Sequence, residues 1–314
     1  MQDDSNLPYF HGALMDQDAD TMLQNEGDFL IQTRHSSGAV RQRMVLAIRT
    51  KDAIKRIDIR RSENGVRLGK IFPPRFREEH SQIYEKMVEY YSEKPIVLQG
   101  GEELLLKKPV PKGKYQLVHS DVKLLKKIGS GAYGTVYRGL LLRDNNRMIA
   151  VKRIDSEGTD DQALVEMMKE ARAMQLNDHK HIVKFFGFIV DRMPYLLVME
   201  YCDGGSVEDR LRAHPKVEQQ RLTLTEHSTE VGVFKDGGRD MNAIYLRDRV
   251  KACIHRDIAT RNCLIDKSIV KLADFGMCRA TNVYKIDLSK PLNVRWLAPE
   301  VNTKKNRSVR LLRA

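Results

Sequence analysis

The chain has 314 residues, 41% of them hydrophobic and 31% charged, with a formal net charge of +12 at pH 7. That balance describes an ordinary globular protein with room for two domains, and no apolar run approaches the roughly 18 residues that a membrane span requires. Lys and Arg are scattered among acids except in VNTKKNRSVRLLRA, which reads as a solvated end, so no nucleic-acid partner is expected. Phosphate-bearing ligands are the stronger use of a basic surface. The opening MQDDSNLPYFHG is acidic and polar, unlike a secretory leader, and Gln2 stands where myristoylation requires glycine. Cys202, Cys253, Cys263 and Cys278 lack metal-ligand spacing, so reduced thiols in a cytoplasmic protein are expected.

In chain order, DADTMLQNE is helical, and GDFLIQTR, RQRMVLAIRT and AIKRIDIRR are strands. REEHSQIYEKMVEYYSE repeats Ile83, Met87 and Tyr90 at helical spacing and predicts a second helix. Together they predict a small α+β module over 8–97, a central antiparallel sheet flanked by two helices. Glycine pairs, prolines and lysines over 98–120 read as a linker. From Asp121 the strands VKLLKKIGSGAYGTVYRGLL and RMIAVKRID follow, then a helix at DDQALVEMMKEARAMQLN and strands at HIVKFFGFIV and PYLLVMEYC. The α+β character continues to the end of the chain.

GSGAYGTV, from Gly129 to Val136, separates its glycines as in a turn that brings backbone amides to a phosphate. Alone, such a match is weak, and a tight hairpin turn explains it equally well. Here a strand follows the turn, where a dinucleotide-binding fold would open a helix, and AVK places Lys152 on a half-buried strand in need of an anionic partner. Glu170 on the next helix is the natural candidate.

These residues, with HRD (His255 to Asp257), Asn262 and DFG (Asp274 to Gly276), match the protein-kinase signature in order and spacing. From about Asp121 to Glu300 the chain therefore resembles a eukaryotic protein kinase. That resemblance implies a bilobal domain over 121–314, with an N-lobe at 121–201 and a partial C-lobe at 202–314. It implies ATP and Mg2+ as cofactors. Lys152 would hold the α- and β-phosphates, steered by Glu170; Asn262 and Asp274 would ligate the metal; Asp257 would accept the substrate proton. The nucleotide site would comprise Ile128, Gly129, Ser130, Gly131, Ala132, Tyr133, Gly134, Val136, Ala150, Lys152 and Leu264. The hinge would bond the adenine at Glu200 and Cys202, with Met199 guarding the back pocket.

The loop HRDIATRN carries Ala259 where serine/threonine kinases usually carry lysine, and Arg261 two residues later. With VRWLAPE this is similar to the tyrosine kinases, and implies protein tyrosine substrates, with Arg261 in the catalytic set. Tyr284 stands where such kinases carry an activating phosphosite, with Arg256 as the partner of its phosphate.

YFHGAL followed by GDFLIQTR resembles a Src homology 2 (SH2) domain, the phosphotyrosine-reading module. The order of the two domains is most similar to the Fes/Fer non-receptor tyrosine kinases, which implies a signalling protein of the cytoplasm and, by analogy, peripheral contact with the inner face of the plasma membrane. One departure matters. The family's phosphate-binding arginine is Gln32 here, and the helix position that often carries a second arginine is Asp16. Two readings stay open: Arg34 with Arg56 rebuilds a weaker phosphotyrosine site, or the domain keeps its fold and regulates by packing alone.

Two irregularities bear on activity. Gly232, Gly237 and Gly238 interrupt the stretch expected to form the long helix beneath the catalytic loop. After Glu300 the chain runs only to Ala314, where kinases continue through further C-lobe helices. The expectation is an incomplete C-lobe and impaired catalysis, with an SH2 adaptor or decoy as the alternative function.

Overall fold

The computed structural model describes residues 6–36, 39–62, 65–68, 83–98, 100–131, 134–154, 161–213, 243–244, 253–267, 269–278, 283–285 and 308–310. Its contacts form two units. One comprises Met1–Val122 with Ile154–Ala163 and Phe188–Leu196; the other comprises Lys123–Arg153, Leu164–Gly187 and Leu197–Ala314.

In the first unit α1 (Asp16–Met22) precedes four strands, β1 (Asp28–Ser36), β2 (Ala39–Arg49), β3 (Ile54–Ser62) and β4 (Gly65–Leu68), and α2 (Ile83–Glu93) follows. Short strands β5 (Ile96–Val97) and β6 (Glu103–Leu104) pair with each other, and β7 (Lys108–Pro109) joins the main sheet in parallel with β1. The sheet order is β4-β3-β2-β1-β7. Alternation divides its faces. Phe29, Ile31, Leu46, Ile48, Ile57 and Ile59 enter the core with Ile83, Tyr84, Met87 and Tyr91 of α2. The other face carries Leu30, Gln32 and Arg34 of β1, with Ala47 and Val45 opposite Leu30 and Gln32, and Arg56 beside Ala47 on β3. This second face meets α1, where Gln32, Arg34 and Arg56 all reach Asp16.

The segment read as a linker is tied down along part of its length. Val110 donates to the Phe29 carbonyl at 2.8 Å. His11, wholly buried, lies 2.9 Å from both the Gln116 side chain and the Val110 carbonyl. Proline-rich composition signals a lack of helix, and it does not exclude short edge pairings.

Next come β8 (Gln116–Leu117), β9 (Val122–Gly131), β10 (Gly134–Leu141), β11 (Arg147–Ile154), β12 (Phe185–Ile189) and β13 (Tyr195–Glu200), in a six-stranded sheet ordered β8-β12-β13-β11-β10-β9. Helix α3 (Asp161–Gln175) falls between β11 and β12. Leu164, Met167, Met168, Ala171 and Met174 recur on its buried side, and Glu170 lies among them. After β13 come α4 (Val207–Ala213) and paired short strands: β14 (Ala243–Ile244) with β15 (Cys253–Ile254), β16 (Cys263–Asp266) with β17 (Ile269–Leu272), and β18 (Val283–Lys285) with β19 (Ser308–Arg310). The helix expected beneath the catalytic loop falls mainly on 214–242 and 245–252, outside the described residues.

Candidate active site

A catalytic constellation needs charged groups held without water, and the second unit builds one from β11, α3 and the segments around β16 and β17. Lys152 lies on β11 opposite Val136 of β10, and both Lys152 and Glu170 are under a tenth exposed. Lys152 Nζ donates to Glu170 Oε1 at 3.0 Å and Oε2 at 2.8 Å, and it lies 3.5 Å from Asp274 Oδ1. Burial opposes the ammonium charge, yet Glu170 and then Asp274 hold the Lys152 pKa above the ordinary lysine value. Burial pushes the Glu170 carboxyl up as well, against the pull of Lys152. A methyl on Gly276 would come within 3.3 Å of Asp274 Oδ1 and 3.4 Å of Glu170 Oε2, so a side chain there would crowd the two carboxylates.

The second group forms around Asp257, which is 5% exposed. Arg261 Nη2 donates to both carboxylate oxygens, at 2.5 and 2.7 Å. Asn262 Nδ2 donates to Asp257 Oδ2 at 2.9 Å and to its carbonyl at 2.8 Å. The 3-10 turn Thr260–Asn262 brings these side chains back onto Asp257. Wholly buried His255 donates from Nε2 to the Ala273 carbonyl at 3.1 Å, and its ring stands edge-on to Phe275, centroids 4.9 Å apart. The Ala273 amide in turn donates to the Asn262 carbonyl at 2.8 Å. HRD and DFG are thereby locked through one histidine and one backbone bond. Burial drives the His255 pKa below the ordinary imidazole value, so the ring is neutral and its Nδ1 faces the Asp257 amide at 3.4 Å. Arg256 and Asp274 both take left-handed conformations, φ +72° and +61°. Each costs on the order of 1 kcal/mol, a strain that persists where surrounding bonds over-determine the backbone.

The remaining predicted residues are distributed as follows. Ile128, Gly129, Ser130 and Gly131 end β9, Gly134 opens β10 at φ +121°, and Ala132 and Tyr133 lie outside the described residues. Val136, Ala150 and Leu264 are half-buried, whereas Ile128 is exposed. The Glu200 carboxylate accepts from Lys271 at 2.6 Å, so its side chain is already occupied. Cys202 is buried, and burial first, then Glu200, pushes its thiol up to about 12. Cys202 and Cys263 are free. Cys278 is disulfide-bonded, which departs from the expectation of reduced cysteines throughout; sequence spacing does not report which sulfurs meet in space. Arg256 Nη1 donates to the Met277 carbonyl at 3.3 Å. Tyr284 pairs through its backbone with Val309, and its side chain lies outside the described residues, as does VRWLAPE. His255 and Lys271 were not singled out from sequence. The first stands inside the HRD motif, and the second has no local signal.

In the first unit Gln32, Arg34 and Arg56 lie together and enclose a carboxylate. Gln32 Nε2 donates to Asp16 Oδ1 at 2.6 Å, and Arg34 Nε donates to the same oxygen at 3.1 Å while its Nη2 pairs with Asp16 Oδ2. Arg56 Nε is 3.3 Å from Asp16 Oδ1, and Arg56 Nη2 pairs with Asp20.

The two units have counterparts among known proteins. Residues 122–310 match the family of protein tyrosine and serine/threonine kinases, and residues 9–91 match the SH2 domain. The chain belongs to that kinase family and couples its kinase domain to an SH2 domain, and over both it is similar to the Fer and Fps tyrosine kinases. It is 29% identical over 305 residues to Fer-related kinase 1 of Caenorhabditis elegans, covering 95% of this chain and 72% of the relative. It is 30% identical over 297 residues to human tyrosine-protein kinase Fer, covering 93% of this chain and 33% of that protein. To the transforming protein Fps of Fujinami sarcoma virus it is 31% identical over 297 residues, with 93% and 31% covered. The chain thus spans about a third of the length of the human and viral relatives. The kinase family implies ATP and a divalent metal, with proteins as substrates; the SH2 family implies phosphotyrosine recognition. Among the described residues no helix is long and apolar enough to cross a membrane.

Proposed function

We propose that the chain is a non-receptor protein-tyrosine kinase that transfers the ATP γ-phosphate to protein tyrosines, with residues 8–97 as SH2 domain, 98–120 as connection and 121–314 as kinase domain. The observation that carries this reading is the buried contact of Lys152 with Glu170 and Asp274, an ammonium held charged where phosphates would arrive. A lysine so enclosed has no solvent to satisfy it and pairs with anions.

Lys152 binds the α- and β-phosphates and Glu170 orients it. Gly129, Ser130, Gly131, Ala132, Tyr133 and Gly134 cover the phosphates. Ile128, Val136, Ala150 and Leu264 bracket the base, and the backbone of Glu200 and Cys202 bonds its edge. Asp257 accepts the proton of the substrate hydroxyl, and Arg261 holds that carboxylate in place. Among the described residues no group of three or more His, Cys, Asp or Glu side chains is set to hold a metal. Magnesium arriving on phosphates needs only one or two protein oxygens. Asp274 and Asn262 fit that demand, because the Asn262 amide nitrogen is committed to Asp257 and Oδ1 is the donor that remains. Bound there, the ion neutralises charge on the phosphoryl oxygens. Phosphorylation of Tyr284, paired with Arg256, is the activating modification in this reading. In this reading the protein works in the cytoplasm, with peripheral contact at the inner face of the plasma membrane by analogy with the family.

The test is transfer of phosphate from ATP to tyrosine and serine peptides by the whole chain. Asp257→Asn should lower tyrosine transfer about a hundred- to ten-thousand-fold with binding of ATP retained. Absence of transfer by the wild type, or equal transfer by Asp257→Asn, overturns the assignment. Transfer to serine at an equal rate overturns the tyrosine specificity.

A further inference from the structure

The arginines of the SH2 domain are arranged for an anion, and the anion they hold belongs to the chain itself. Arg34 and Arg56 lie on one face of the sheet, close enough that burial first and Arg56 second lower the Arg34 pKa. Asp16 accepts from Arg34 through both oxygens, takes the Gln32 amide at 2.6 Å, and lies 3.3 Å from Arg56 Nε. Asp20 pairs with the other end of Arg56. Two guanidiniums thus face two carboxylates, and the cluster carries no net charge.

The cluster is matched in charge but not in hydrogen bonds. The Arg56 Nε donor is buried with no hydrogen-bond partner; Gln32 Oε1 is unmatched too, but it is an acceptor, a need that no anion meets. A short carboxylate reaching over from α1 cannot satisfy every donor around it, whereas a tetrahedral phosphate offers more acceptor oxygens in more directions. The acids are also partly open to solvent, with side chains 45% exposed at Asp16 and 42% at Asp20. Exposed pairs of this kind are weak and exchange partners readily.

We propose that Asp16 is a resident competitor that holds the phosphotyrosine site of this domain closed, so that a phosphate binds only by displacing its carboxylate from Arg34 and Arg56. The inference rests on the reading of Arg34 and Arg56 as the phosphate ligands. It makes Asp16 the residue that sets how strongly the domain prefers the phosphorylated form of a peptide. An incoming phosphate must meet a neutral cluster and evict one anion. With Asp16 made neutral, it would meet an uncompensated positive charge.

The test uses the full chain and the peptide ATNVYKIDL from its own sequence, with the tyrosine phosphorylated or not. Asp16→Asn should bind the phosphorylated peptide about three- to fivefold more tightly than wild type, the effect of removing one partly exposed charge. Affinity for the unphosphorylated peptide should stay unchanged, and Asp16→Asn combined with Arg34→Gln should lose the gain. Equal, phosphate-dependent binding by wild type and Asp16→Asn overturns the competitor and leaves the phosphate site standing. Equal affinity for both peptides in every variant overturns the phosphate site and the proposal with it. Thermal unfolding confirms that each variant is folded. If Asp16→Asn does not fold, Asp20→Asn, which releases Arg56, is read in the same way with a smaller gain expected.

Discussion

Lys152 with Glu170, and Arg34 and Arg56 with Asp16 and Asp20, are both clusters of opposite charge reached from a strand and a helix, yet they differ in solvent access. The Lys152 and Glu170 side chains are 9% and 5% exposed, against 39% and 45% for Arg34 and Asp16. Inside, the low dielectric strengthens the attraction and makes the loss of either partner costly. Outside, water screens both, and the pair exchanges one anion for another at little cost. The difference teaches that the same chemical pair is a fixed part of the site when buried and a removable gate when open.

The largest expected effect is the loss of phosphate transfer in Asp257→Asn. It shows whether the buried constellation does chemistry or only completes a fold. Next is Glu170→Gln, which strands Lys152 in the interior. Breaking a buried pair costs about 3–5 kcal/mol, and Asp274 at 3.5 Å should keep this case near the lower end. Denaturant unfolding measures it, and a loss below about 1 kcal/mol would erase the contrast between the two clusters. The gain of phosphopeptide binding in Asp16→Asn is smaller and opposite in sign. It sharpens the comparison from the exposed side.

Smaller again is the effect of acid on His255. Its pKa in the folded chain lies below the ordinary 6.5, so between those values the unfolded chain holds the extra proton. The stability that follows from neutral His255 is full above pH 6.5 and is lost as pH falls towards the folded pKa. Thermal midpoints measured from pH 7.5 to 5 should therefore fall, and His255→Phe should flatten that slope. The smallest effect belongs to the exposed pair of Lys169 with Glu166, 2.7 Å apart on α3. Lys169→Ala should change stability by about 0.5 kcal/mol or less. A much larger loss would show that exposure is the wrong variable for ranking these pairs.

Much was legible without coordinates. Hydrophobic period located α3 and the longer strands, β1 to β3 and β9 to β13, because a 3.6- or two-residue repeat reflects which side meets the core. The motif residues were legible for a related reason: phosphate chemistry demands particular side chains at short spacing, so AVK, HRD, Asn262 and DFG announce themselves locally. The strand β4 was missed because Gly65–Leu68 offers too few residues to show a period. The pairing of β7 with β1 was hidden because it depends on a partner far away in the chain.

What the sequence determined by itself is the kind of chemistry and the kind of modules, since both are written in local patterns of residue type. What only the tertiary structure decided is how those residues are occupied. Lys152 meets Glu170 and also Asp274, His255 joins the catalytic loop to the DFG segment, and Asp16 fills the place between Arg34 and Arg56. Gln32 stands where the SH2 family carries its phosphate-binding arginine, and the sequence alone leaves open whether the site is rebuilt or lost. That the replacement anion comes from the chain itself depends on α1 lying against one face of the sheet, a matter of long-range packing that no local pattern records.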